Sequence, residues 1–126
     1  MTWTEEILRC FFVAFGAFEF FINLYYLTTQ QGLAKARKQH GELPPTATPH
    51  NIRMKVICMM CSGFVFLIAG CTSFYLHTYC GSFLFLSALG FALYAWIEAC
   101  YYRYWKTFGF ATVATVFVLL TFLQIL

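Results

Sequence analysis

The sequence predicts an all-α integral membrane protein: a single domain of four transmembrane helices in an antiparallel bundle, with both termini on the non-cytoplasmic side. Three observations carry this. First, the chain of 126 residues is 61% hydrophobic and 21% aromatic. Second, only 10% of it is charged, against roughly 25% in an ordinary soluble domain. Third, four apolar runs, 7–28, 54–76, 80–102 and 107–126, each approach the ~20 residues that span a hydrocarbon core. The remaining length leaves no room for a second domain. Aspartate is absent, which removes aspartate-based metal sites, proton relays and aspartyl nucleophiles together.

The first helix has the spacing of a capping box at Thr2 and Glu5. Glu5 and Glu6 stand where a signal peptide would carry Lys or Arg, and no small-residue cleavage site follows, so this helix is expected to remain in the protein. Arg9 lies one turn in, within reach of Glu5 and Glu6. The segment 30–39 keeps good helix formers and carries Lys35, Arg37 and Lys38, with Gly41 as a stop. It is expected to extend the first helix or to bend along the membrane surface. Pro44 and Pro45 mark a turn, and Thr48 before Pro49 reads as an N-cap with proline at the first helical position. The second and third helices are joined tightly at His77-Thr78-Tyr79, and the third and fourth at the aromatic and basic stretch around Arg103. No internal repeat is evident.

The basic residues set the orientation. Lys35, Arg37, Lys38, Arg53 and Lys55 belong to the first connection, expected as a cytoplasmic loop over 29–53, and Arg103 and Lys106 to the third. Seven of the eight Lys and Arg thus fall on one side, the cytoplasmic one by the positive-inside rule. Lys35, Arg37 and Lys38 suit anionic headgroups and topology control, not nucleic acid.

One carboxylate, Glu19, sits in the middle of the first run. At 1.5 Å per residue it lies roughly 18 Å from one end of that run and ~13 Å from the other, too deep to reach water by snorkelling. It must be protonated, paired, or face a wet cavity. Helical spacing puts Glu19, Asn23 and Tyr26 on one face of the first helix, and Tyr94 and Glu98 on one face of the third. These five are the candidate ion- or substrate-binding residues, with Tyr94 a possible companion of Glu19 and Asn23. Glu98 lies about one turn from the inner interface, where Arg53, Lys55, Arg103 or Lys106 can pair with it.

The other reactive residue types are read more plainly. Cys58 and Cys61 form a C-x-x-C inside a helix with no second pair, and Cys10 and Cys80 share a similar depth. All six cysteines are expected to act as small packing residues. His40, His50 and His77 fall in loops or turns, so no bis-histidine haem site arises. No catalytic residue, metal site or cofactor is assigned. Small residues, Gly63 and Gly70 in the second helix and Ala88, Ala92, Ala95 and Ala99 in the third, mark close helix approach.

Three functions follow in order. The first is a small oligomeric transporter or channel-like protein whose midplane Glu19 binds a proton, a cation or a cationic amphipathic molecule. In size, and in having an acid in the first of four helices, the chain resembles the small multidrug resistance family. It departs from that family in its longer first loop, in the residues around Glu19 and in lacking a glycine-rich turn in the third helix, so no membership follows. The second is a non-catalytic accessory or scaffold subunit that binds lipid or partner helices. The third is a lipid-modifying enzyme with an inner-face site using Glu98, Tyr101, Tyr102, Arg103 and His50. Membrane lipids and either further copies of the chain or partner membrane subunits are the expected partners, and nucleic acid is not.

Overall fold

A computed structural model describes residues 2–126, and the regular structure among them is entirely helical. The elements are α1 (Trp3–Thr28), α2 (Gly32–Gln39), α3 (Pro49–Tyr75), α4 (Gly81–Tyr102) and α5 (Trp105–Leu123). By length and composition α1, α3, α4 and α5 are long and apolar enough to cross a membrane.

Local chemistry fixes the helix ends. The Thr2 hydroxyl accepts from the Glu5 N–H at 3.2 Å, and Thr48 caps α3 in the same way through the Asn51 N–H at 3.2 Å. Proline at the start of α3 loses nothing there, because that N–H has no intrahelical partner. Arg103 takes a left-handed backbone (φ 51, ψ 41), which ends α4 and turns the chain into α5 within two residues.

The first connection differs from a solvated loop over 29–53. Thr29 is extended (φ −106, ψ 152), so α1 stops and α2 is a separate helix. At Gly32 a Cβ would fall onto the Tyr26 carbonyl, so the return is possible only without a side chain. The segment then packs: Ala36, Leu43 and Ala47 are buried in one cluster with Tyr26, Ile52 and Val56. α3 begins at Pro49, so Arg53 and Lys55 are helical. Leu43 and Ala47, on either side of the two prolines, anchor this segment on the core, while Gly41, Pro45, Thr46 and Thr48 stay exposed.

Packing is dense between α1 and α3 and between α4 and α5, and thin between α3 and α4. Gly16 and Gly63 make the first contact possible: a Cβ on Gly63 would lie 2.7 Å from the Phe20 nitrogen and 2.9 Å from the Gly16 oxygen. Neither backbone can yield cheaply. Gly63→Ala is therefore expected to lower stability by about 1–3 kcal/mol through overpacking, read from denaturation in detergent. An unchanged midpoint would refute this crossing. Beside it the Phe12 and Phe66 rings stack at 4.7 Å. The second contact is built from alanine, with Ala92, Ala95 and Ala99 of α4 buried against Ala111 and Ala114 of α5. Aromatic rings join the two pairs, Phe66 to Phe91 at 5.4 Å and Phe11 to Phe117 at 4.5 Å.

The cysteines do not pack this core. All six are free; Cys10, Cys61, Cys71 and Cys100 are exposed and Cys58 and Cys80 half-buried. Close approach in this fold uses glycine and alanine, which are smaller.

Candidate functional site: a buried polar chain

Three helices and the folded connection bring six polar side chains into one line. In α1 the i, i+4 spacing lets Asn23 Nδ2 donate to Glu19 Oε2 at 2.8 Å and to the Glu19 carbonyl at 2.6 Å. Glu19 is only 6% exposed and Asn23 is fully buried. The Asn23 amide oxygen then lies 2.9 Å from His40 Nε2. An amide oxygen can only accept, so the imidazole carries its proton on Nε2 and turns Nδ1 toward Glu42 Oε1, 3.8 Å away. Burial pushes the His40 imidazole down to about 4; the Glu42 carboxylate opposes this and the Lys55 ammonium adds to it. At neutral pH His40 is uncharged.

From Glu42 the line passes to Lys55, whose Nζ donates to Glu42 Oε1 at 2.9 Å and to Glu98 Oε2 and Oε1 at 2.8 and 3.1 Å. The Lys55 ammonium also sits over the Phe110 ring at 4.1 Å and the Tyr94 ring at 5.3 Å. Its side chain is 1% exposed and that of Glu98 4%. Glu19, Asn23, His40, Glu42, Lys55 and Glu98 thus lie in one line, hydrogen-bonded from Glu19 to His40 and from Glu42 to Glu98, with a 3.8 Å step between His40 and Glu42.

The candidate residues fall into two groups. Glu19 and Asn23 form one end of the line and Glu98 the other. Tyr26 is buried beside the line, its hydroxyl donating to Gln39 Oε1 at 2.6 Å and tying the end of α2 to α1. Tyr94 stands over Lys55 and is not the companion of Glu19. The partner of Glu98 is Lys55, one of the four cations considered for it, and both side chains are buried in the protein. His40 and Glu42, the two central members, carried no site role in the sequence reading, and Lys55 entered it only as one of four cations able to pair with Glu98. One signal for Lys55 was present: it falls on the helical stripe of Ile52, Met59, Gly63 and Phe66, all buried.

Charge does not balance within the line. Three carboxylates face one ammonium and a neutral imidazole, and buried carboxylates without a cationic partner are held by protons or by a bound cation. Among the described residues no group of His, Cys and Glu is placed to hold a metal ion. One cavity adjoins the line and another lies apart from it. A groove of about 300 Å³ runs between α3 and α4 beside Lys55 and Glu98, walled by Tyr94, Tyr101 and Tyr102. A second cavity of about 130 Å³ lies where the helix pairs meet and is lined by Phe11, Phe15, Phe66, Phe91, Phe110 and Phe117.

No family model, no curated protein and no solved structure matches the chain.

Proposed function

We propose that the chain is a multi-pass membrane protein working as a small transporter or channel-like protein, in which a proton is the species held and passed by the buried polar chain. The four long helices form an antiparallel bundle, with residues 29–48 at the cytoplasmic side and both termini opposite. The pairing of Arg9 with the Ser73 carbonyl and of Gly16 with Gly63 supports that arrangement. The orientation rests on Lys35, Arg37, Lys38, Arg53, Arg103 and Lys106, since Lys55 faces inward. A unit this small encloses little space, and its broad exposed apolar faces suit further copies of the chain as well as lipid.

The observation that supports the reading is the buried Glu19 carboxyl at one end of a line of polar side chains, with no cation beside it. Most contacts along the line are hydrogen bonds of 2.6–3.1 Å. Glu19 is sealed against α3, its Cβ lying 2.9 Å from where a side chain on Gly63 would begin. A carboxyl so enclosed holds a proton in preference to a hydrated cation, and transfer past the Asn23 amide and across the 3.8 Å step from His40 to Glu42 calls for side-chain movement or a bridging water. His40 suits a relay because a neutral imidazole accepts a proton on one nitrogen and releases one from the other.

The test is proton flux into liposomes carrying the purified protein and an internal pH dye. Wild type is expected to collapse an imposed pH gradient, and Glu19→Gln to leak no faster than empty liposomes. The amide oxygen of glutamine still accepts from Asn23, so this variant should keep its fold. Full flux in Glu19→Gln would sink the transporter reading.

A further inference from the structure

On either side of the turn at 76–80 the molecule is two units, one of α1, α2 and α3 with the folded connection, the other of α4 and α5, each closely packed within itself. What joins them is mostly phenylalanine. Phe117 of α5 lies against Phe11 and Phe12 at 4.5 and 5.9 Å, and Phe91 of α4 against Phe15 and Phe66 at 6.1 and 5.4 Å. These rings do not fill the boundary, since the 130 Å³ aromatic cavity lies between the units and takes its walls from both. Among the described residues, one polar side-chain link crosses it away from the turn, the bond from the Lys55 ammonium to the Glu98 carboxylate. The turn itself is tied, Ser73 Oγ donating to the Thr78 carbonyl at 2.7 Å. Glu98 stands ~26 Å along α4 from Gly81 at 1.5 Å per residue, so the ion pair closes the end of the boundary farthest from the turn.

We infer that the Lys55–Glu98 pair is a proton-released latch between the two units. With both carboxylates ionised, the ammonium bridges Glu42 of the first unit and Glu98 of the second, at 2.9 and 2.8 Å. One positive charge between two negative ones leaves an excess that a single proton cancels. A proton entering by the groove of about 300 Å³ beside the pair and bonding to a Glu98 oxygen removes that carboxylate's charge and leaves the ammonium protonated. Lys55 is then held by Glu42 within its own unit, and the charge-assisted bond across the boundary is lost. The α4–α5 pair is free to swing about the tied turn, parting the boundary at its far end. The groups facing the pair are Glu42 with His40 behind it, His50 and Cys58 of α3, and Tyr94, Tyr101 and Tyr102 of α4, while α5 presents the Phe110 ring. The trigger rests on the proton reading given above, whereas the latch rests on the two-unit packing.

The experiment is a distance measurement by pulsed electron spin resonance on the full chain in phosphatidylcholine nanodiscs. Nitroxides are placed on Cys100 of α4 and on Met54→Cys of α3, both exposed positions toward the latch end, with the other cysteines replaced by alanine. A second pair on Cys10 and Cys71, exposed on α1 and α3, reports within the first unit alone. The α3–α4 pair is expected to hold one distance at neutral pH, to shift to a longer one in acid, and to show the longer one already at neutral pH in Glu98→Gln. The α1–α3 pair should keep its distance throughout. Lys55→Met/Glu98→Leu, which leaves the latch nothing to protonate, should lose the acid shift, and this separates the latch from the titration of His40. A short distance retained in Glu98→Gln, an acid shift that survives in Lys55→Met/Glu98→Leu, or an equal shift in the α1–α3 pair would each overturn the latch. Proton flux into liposomes is read on the same proteins: a shift without flux sinks the transport reading and leaves the latch standing, and flux without a shift does the reverse.

Discussion

Lys55→Met is expected to destabilise the protein by about 3–5 kcal/mol. Methionine fills nearly the same volume and keeps the contact with Phe110, so little of the effect is packing. The loss comes from the carboxylates left behind. Glu98, 4% exposed, loses its ammonium, and Glu42 loses the same partner while keeping 19% of its side chain in contact with solvent. Because Glu98 is the more deeply buried, it is the more costly to strand. The double variant Lys55→Met/Glu98→Leu should recover most of the stability, since an apolar pair of similar volume replaces a buried ion pair at little cost. Equilibrium denaturation in a mild detergent reads both. Single and double variants of equal stability would mean that the Lys55–Glu98 pair is not an interior one.

Acid is expected to loosen the connection between α1 and α3 well before the helices unfold. His40 titrates near 4 where it is docked and near 6.5 when released, so the released form binds more protons throughout that interval. Docking is therefore fully favoured above pH 6.5, weakens as pH falls, and levels off below about 4. The total change is about 3 kcal/mol, or roughly tenfold in the opening constant for each pH unit. The groups facing the ring are the Asn23 amide oxygen, the Glu42 carboxylate and the Lys55 ammonium. Hydrogen exchange at Ala36, Leu43 and Ala47, corrected for intrinsic rate, should rise along this curve. His40→Phe should flatten it, and an unchanged slope in that variant would assign the titration elsewhere.

The long helices were legible because lipid imposes a coarse rule: a spanning segment must be apolar for most of its length. The Thr2 and Thr48 caps, the glycines of α3 and the alanines of α4 were legible for local reasons of hydrogen bonding and size. The Glu19–Asn23 contact followed from helical spacing alone. What could not be read was any contact made by chain folding back across a turn. His40 lies 17 residues from Asn23 and looks like a headgroup-facing loop residue until Leu43 and Ala47 anchor the segment. Lys55 was misplaced for a related reason: counting a lysine toward orientation assumes that it faces the headgroups, and this one turns inward between two acids.

The thin contact between α3 and α4 has a consequence for how the molecule is made. Synthesis delivers α1, α2 and α3 first, and these three already contain the glycine crossing and five of the six members of the polar line. The α4–α5 pair emerges later, joined internally by its own alanines, with Glu98 in its apolar length. Until that pair docks, Lys55 has Glu42 alone as counter-ion, and Glu98 has none. Docking of the late pair is then the event that neutralises Glu98, so a nascent chain stopped before α4 carries a half-satisfied lysine and one that fails to dock carries a stranded acid. Either defect is a charge that the finished protein buries and pairs, left without its full partner.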